Sequence, residues 1–403
     1  MELEITALAS SGHGVGRRNG EVVFAAGALP GERVRVRLLG RRRKVHEAVT
    51  EEVLVASSWR EENLCPLAFD RCGGCDLPHV SLPFRKQALA ACLQAALRGG
   101  PEPLKEAVQQ AVFYPSPWHY RLRGTLHWDS STKTLGFFAP RSHRVTGLSP
   151  CRILSRQLVA LLPSWREALA RWAFPSGELA FLEDLVGERR LVLWKNKVRA
   201  VPRDFPGVQG FFTSGGRGWG AHRLVLDLPR PLTVFVETFV QGNRFLLPEL
   251  WQLVAGLVSE KGVKKVLDLY AGVGFLAAAA YAGGAAEVTA VEVSRRASAG
   301  ARENLSQANV LPKSAEEVAA TGMLRGQDLI IVDPPRGGLS LGVREALGTS
   351  NCPLLLYFSC APACLARDAQ ALTQRGYRVA WAKLFDLFVG THHGELAVLF
   401  RRS

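Results

Sequence analysis

The sequence predicts an α/β protein whose C-terminal part is a doubly wound parallel sheet, preceded by a small β-barrel and an α+β middle segment. Three observations carry this reading. From about residue 231, short apolar runs recur, each closed by a glycine- or proline-containing turn and followed by a helical stretch. The first 56 residues instead alternate polar and apolar side chains over short runs between Gly and Pro turns. Between these regions three cysteines crowd together at Cys65, Cys72 and Cys75. At 403 residues the chain is long enough for two or three domains. The composition shifts divide it into residues 1–56, 57–230 and 231–403.

Charge narrows the function classes. The formal net charge is +14, which favours a polyanionic partner, most simply nucleic acid. No apolar run is long enough to span a bilayer, and the acidic, strand-like start is no signal peptide. A cytoplasmic protein is expected, with no obligate protein partner. In that compartment a tight cysteine cluster points to metal rather than disulfides. Cys92, Cys352 and Cys364 lack ligand-like spacing and read as structural.

In residues 1–56, Glu2 to Thr6, Glu21 to Phe24, Arg33 to Arg37 and Ala48 to Leu54 read as strands. Gly12 to Gly16 and Leu29-Pro30-Gly31-Glu32 read as turns. Short strands with basic loops suggest an OB-like barrel, a platform for single-stranded nucleic acid. Arg17, Arg18 and the run Arg41 to Lys44 would meet phosphates. The module resembles the TRAM domain, an RNA-binding appendage of RNA-modifying enzymes.

In the middle segment, the Gly73-Gly74 turn lets the backbone wrap closely around a metal centre held by Cys65, Cys72 and Cys75. Four thiolates could hold an iron–sulfur cluster or a zinc ion. The fourth ligand is not local: Cys151 is the first candidate, and His79 the alternative for a Cys3His zinc site. Leu82 to Arg98 has helical spacing. Trp118 to Arg123 and Gly136 to Phe138 read as strands with basic and aromatic faces. Residues 155–230 suggest mixed α+β structure and no chemistry.

The C-terminal part is the most informative. Lys265 to Tyr270 is an apolar strand running into Ala271-Gly272-Val273-Gly274 and a helix. A second strand ends at Glu292. Glycines let backbone approach a nucleoside, and a strand-end carboxylate can hold ribose hydroxyls. A dinucleotide site would want a third glycine at 277, where Ala277 stands; Asp268 before the turn points to S-adenosylmethionine (AdoMet) in a Rossmann-like sheet. Asp328 to Asp333 is a strand followed by Pro334-Pro335-Arg336, a loop placed to line a substrate pocket. The run Cys352 to Tyr357 delivers Cys360 to the carboxyl edge of the sheet, just before Pro362 starts a helix. There the helix N-terminus is expected to lower the thiol pKa and favour a nucleophilic thiolate. Glu395, at the edge of the apolar strand Leu396 to Phe400, is a candidate general base.

Together these pieces resemble the RNA uracil-C5 methyltransferase family, which makes 5-methyluridine in tRNA and 23S rRNA. The resemblance rests on Phe239-Val240-Gln241-Gly242-Asn243, Asp333-Pro334-Pro335-Arg336, Ser359-Cys360-Ala361-Pro362 and His393-Gly394-Glu395, with the N-terminal module and the cysteines. It implies that Gln241, Tyr270, Glu292 and Asp333 contact AdoMet, that Cys360 is the nucleophile and that Glu395 is the base. It also implies a [4Fe–4S] cluster on Cys65, Cys72, Cys75 and Cys151. The expected partner is RNA with an unpaired or flipped uridine, 23S rRNA being favoured over tRNA. The rival readings are an RNA cytosine-C5 methyltransferase, which would want a cysteine where Arg336 stands, and a non-catalytic RNA-binding protein with an AdoMet-like fold.

Overall fold

The computed structural model describes residues 1–42, 45–62, 65–69, 71–198 and 200–402. Glu2–Leu8, Gly14–Arg18, Glu21–Ala26, Arg33–Arg42 and Val45–Val55 close into a five-stranded barrel. Alternation does the work: Leu3, Ile5, Val23, Ala25, Val34 and Val36 fill the interior, while Arg35 and Arg37 face out and pair with Glu52 and Glu51. The stretch read as a turn at Gly12 to Gly16 is in fact a turn followed by a strand. Gly14 and Gly16 lie close under Ala28 and the backbone of Glu4, where a Cβ would meet oxygens at 2.8 Å. Small residues here serve strand contact. In the basic run, Arg43 and Lys44 lie outside the described residues, and Arg41 pairs with Glu21.

The middle of the chain forms a seven-stranded sheet built from Arg123–Asp129, Thr134–Phe138, Val145–Gly147, Gly177–Glu183, Arg190–Trp194, Gly210–Thr213 and Gly218–Gly220. The helix Arg156–Arg171 covers it through Leu158, Leu162 and Trp165. Trp118 to Leu122, expected as strand, is irregular, with isolated bridges at Arg121 and single backbone hydrogen bonds to Arg152, Gly242, Glu183 and Arg244; His119 has φ +63°, a left-handed value foreign to a strand.

The C-terminal sheet has eight strands in the order Asn309–Leu311, Glu287–Val291, Lys265–Leu269, Leu329–Val332, Leu354–Ser359, Glu395–Arg402, Tyr377–Phe385 and Val112–Tyr114. The first five are parallel, and Glu395–Arg402 is antiparallel to its neighbours on both sides. The last strand comes from the middle segment. So do the helices Arg85–Ala96 and Glu102–Gln109, whose Leu89, Leu93, Leu104 and Val108 share one core with Leu355, Leu384 and Val398. Residues 85–114 therefore pack with the part of the chain that begins near residue 231. Among the described residues, no helix is long and apolar enough to cross a membrane.

A buried ion pair fastens this arrangement. Arg85 donates to both oxygens of Asp386 at 2.6 and 3.0 Å and also to Thr391 O; both side chains are 1% exposed. Removing one partner leaves an uncompensated buried charge, so Asp386→Ala should lower the unfolding free energy by about 3–5 kcal/mol. Urea melting checks this; a loss below about 1 kcal/mol, the scale of an exposed pair, would show that the pair carries no such load.

Candidate active site

Strand register assembles the site. Leu269 pairs with Val332, and Val332 with Tyr357, so Tyr270, Asp333 and Cys360 leave the sheet along one carboxyl edge, where open α/β sheets bind ligands. The antiparallel strand then inserts beside Leu354–Ser359 with Ser359 opposite Leu396. Continuing that register one step sets Cys360 across from Glu395. Two residues 35 positions apart in sequence thus become cross-strand neighbours, with Asp333 on the adjoining strand end.

Their electrostatics are mutual. Glu395 is 1% exposed and its Oε1 has no hydrogen-bond partner; burial, with Asp333 nearby, pushes its carboxyl well above the usual carboxylate range. Asp333 is pushed up to about 6 by burial, against a donated hydrogen bond from Gln241 Nε2 at 3.3 Å. The Cys360 thiol is pushed up to about 11, by burial first, then by Glu395 and Asp333, with Arg336 pulling the other way. This reverses the expectation of a lowered pKa. Cys360 precedes the first turn of the helix Pro362–Thr373, and desolvation beside two carboxyl groups outweighs the helix terminus. A cavity of about 490 Å³ opens in front of Cys360, lined by Arg336, Phe388, Thr391, His393 and Arg121 among others. Cys364 and Cys92, read as structural, line a second cavity of about 390 Å³ behind Cys360.

The neighbouring strand ends carry a cradle, a glycine turn beside a strand-end carboxylate. Glu292 accepts hydrogen bonds from Gly272 N at 2.9 Å and Ser294 N at 2.7 Å, one on each oxygen. Gly272 and Gly274 have φ +56° and +83°, left-handed values that favour glycine. A Cβ on Gly272 would meet nothing closer than Phe239 O at 3.7 Å, so space remains beside it. Asp268 is fully buried; its Oδ2 accepts from Ala277 N in the first turn of the helix Phe275–Ala282, and its Oδ1 is unpartnered. Tyr270 directly precedes this glycine turn, and Gln241 reaches Asp333. Sequence reasoning underrated Asn243, which binds Leu387 O at 3.1 Å and Ser116 while its own oxygen accepts Leu246 N. It joins the Gln241 loop to the chain approaching Glu395.

Cys65, Cys72, Cys75 and Cys151 converge, as expected, on one cavity of about 30 Å³ walled by Leu67, Trp118, Phe137 and Ile153. Burial pushes the Cys72 thiol up to about 11, and the neighbouring thiols push it further; Cys75 and Cys151 are raised for the same two reasons. His79 is not among the residues lining this cavity. It is fully buried with its ring edge-on to Phe69 and both nitrogens unpartnered. Among the described residues, no group of three or more His, Cys, Asp or Glu side chains is arranged to hold a metal ion.

Comparison with known proteins places this geometry. The family model for tRNA (Uracil-5-)-methyltransferase matches residues 324–403, a methyltransferase small domain matches 234–340 and a TRAM domain matches 1–48. The chain is 30% identical to the 23S rRNA (uracil(1939)-C(5))-methyltransferase of Pseudomonas putida, covering 99% of this chain and 93% of that one. This chain belongs to the RNA uracil-C5 methyltransferase family. The Halomonas elongata 23S rRNA (uracil(1939)-C(5))-methyltransferase is 32% identical over 99% of this chain and 89% of its own. The crystal structure of the Pyrococcus abyssi tRNA (uracil-54, C5)-methyltransferase with S-adenosyl-L-homocysteine superposes with a TM-score of 0.78, covering 99% of this chain and all of that one at 22% identity. That likeness shows the fold.

Family membership gives the cradle and the Cys360–Glu395 pair a common context. The sequence motifs located these residues individually. What they could not show was that Asp333 raises the Glu395 carboxyl and that both raise the Cys360 thiol.

Proposed function

We propose that this chain methylates C5 of a uridine in 23S rRNA with AdoMet as methyl donor, through a covalent adduct on Cys360. The observation that carries this reading is the cross-strand placement of Cys360 opposite Glu395 beside Asp333. Its long relatives bear the names of 23S rRNA enzymes, and the basic chain with its barrel suits an RNA partner worked on in the cytoplasm.

Uracil C5 is a poor nucleophile until something adds at C6. Cys360 supplies that addition: having lost its proton to solvent, the thiolate sulfur bonds to C6 and the displaced electron pair settles on C5. AdoMet, when bound, supplies an electrophilic methyl group to that carbon and leaves as S-adenosylhomocysteine. Glu395, reacting as its carboxylate, then takes the C5 proton, the C5=C6 bond re-forms, and the S–C6 bond breaks to release Cys360 as its thiolate. Gln241, Tyr270, Glu292 and Asp333 are the residues proposed to hold AdoMet. The open space beside Gly272 and the unpartnered Asp268 Oδ1 fit a polar nucleoside there. C6 is shielded in a stacked helix, so the target uridine is an unpaired or flipped one.

We also propose that Cys65, Cys72, Cys75 and Cys151 hold a [4Fe–4S] cluster. Four thiols around one apolar cavity fit such a group, whose negative charge on sulfur would replace the protonated thiols that burial favours. Its contribution is structural binding of two distant loops; no step of the reaction passes through it.

The deciding experiment is tritium release from RNA labelled at uridine C5, run separately on 23S rRNA and bulk tRNA. Release from 23S rRNA alone is expected. Release from tRNA alone overturns the substrate, and none from either overturns the reaction. A second expectation follows from the raised thiol. With a pKa of about 11, only about one molecule in 10⁴ is thiolate at pH 7. Raising the pH ionises more of it, so kcat/KM should climb about tenfold per pH unit between pH 7 and 9. A flat profile there would show that the free enzyme's nucleophile is not this thiol.

A further inference from the structure

The segment that leads into Glu395 is seated largely by parts of the chain outside its own sheet. Leu77 N donates to Gly390 O at 2.8 Å, and Asp76 Oδ2 accepts from His392 Nδ1 at 2.7 Å. Asp76 and Leu77 directly follow Cys75. Gly390 has φ +84°, and a Cβ there would fall 2.7 Å from Trp118 and 3.3 Å from Cys75 Sγ, so the two loops touch as closely as glycine permits. The barrel closes over the same place: a Cβ on Gly12 would meet His392 Cβ at 2.9 Å and Asp76 Cβ at 3.3 Å. The His392 ring in turn lies against the His393 ring, centroids 3.9 Å apart, and His393 lines the cavity in front of Cys360.

We propose that Asp76 is a positioning residue for methyl transfer: through His392 it fixes His393 and the turn before Glu395, coupling the cysteine loop to the wall of the substrate pocket. This rests on the reading of Cys360 as nucleophile and Glu395 as base. The path is short and continuous, running from Cys75 along the backbone to Asp76, across one hydrogen bond to His392, across one ring contact to His393, and two residues on to Glu395. What crosses it is geometry. Asp76 itself lines the cavity in front of Cys360 alongside His393 and forms no part of the cradle, so its loss should leave AdoMet binding alone and act on the step that needs Glu395 and the pocket wall in register.

The test compares wild type, Asp76→Ala, Asp76→Asn, His392→Ala and the Asp76→Ala/His392→Ala double variant, each purified as full-length protein with whatever metal it carries. A sub-ångström misplacement in an active site can cost about 10²-fold, so Asp76→Ala is expected to lower kcat by about tenfold with RNA KM and AdoMet affinity little changed. Asp76→Asn keeps an oxygen to accept from Nδ1 and should recover most of kcat. The double variant should be no slower than the worse single, as expected for two residues acting as one unit. The coupling is also read from the far side: His392→Ala, which changes no cysteine, should speed alkylation of Cys75 in metal-stripped protein and iron loss to a chelator in loaded protein. A raised KM with unchanged kcat, additive single losses, failure of Asp76→Asn to rescue, or unchanged Cys75 reactivity each overturn the proposal. Cys360→Ala run alongside separates the two readings: if it still methylates, the covalent mechanism has failed, whatever Asp76 does.

Discussion

Cys360→Ala is expected to abolish methyl transfer while leaving AdoMet binding intact. Removing a covalent nucleophile acts on the scale of about 10⁴- to 10⁶-fold in turnover, because the remaining groups cannot raise electron density at C5 unaided. The cradle formed by Gln241, Glu292 and Gly272 does not use the thiol, so calorimetric titration with AdoMet should match wild type. No RNA–protein adduct should survive a denaturing gel. Near-normal turnover by this variant would end the covalent reading, and lost AdoMet binding would mean the substitution had disturbed the sheet edge instead.

Glu395→Gln is expected to do the opposite to the adduct. The S–C6 and C5–methyl bonds can still form, but nothing takes the C5 proton, so elimination stalls and methylated RNA stays attached to Cys360. Turnover should fall by about 10²- to 10⁴-fold, the usual contribution of a general base, while a labelled RNA–protein band accumulates on denaturing gels. The substitution suits the fold. Burial pushes the Glu395 carboxyl well above the usual carboxylate range, and an amide keeps the shape of the carboxyl without adding a buried charge. Unfolding should therefore stay near wild type. A slow variant without the band would assign Glu395 to an earlier step.

Much of this site was legible before any coordinates. Cys360, Asp333 and Glu395 each stand at the end of an apolar run, and a strand end on an α/β sheet is a place with chemical meaning. The cysteines could be grouped by spacing, and Cys151 by its setting, because thiols are scarce. What stayed hidden depends on long-range pairing. Nothing local in Val112–Tyr114 says that it joins a sheet whose other strands begin at residue 265. Asp76 and His392 are 316 positions apart, and no periodicity connects them. The raised thiol pKa is hidden from the sequence for a related reason. The helix start at Pro362 is visible in sequence, but the two carboxyl groups that outweigh it reach Cys360 only through register and burial.

The order of strands also sets when the enzyme can come to life. Glu395–Arg402 lies inside the sheet, between Leu354–Ser359 and Tyr377–Phe385, yet it is synthesised after every strand it touches. Until it emerges from the ribosome, its two flanking strands face a gap, and Cys360 has no Glu395 opposite it. Domains fold as units during synthesis, and this one lacks an interior strand until its final stretch is free. On the proposed mechanism, a nascent chain still held at residue 390 carries the residues proposed to hold AdoMet but lacks Glu395, so methylation is expected only from chains whose translation has passed that strand.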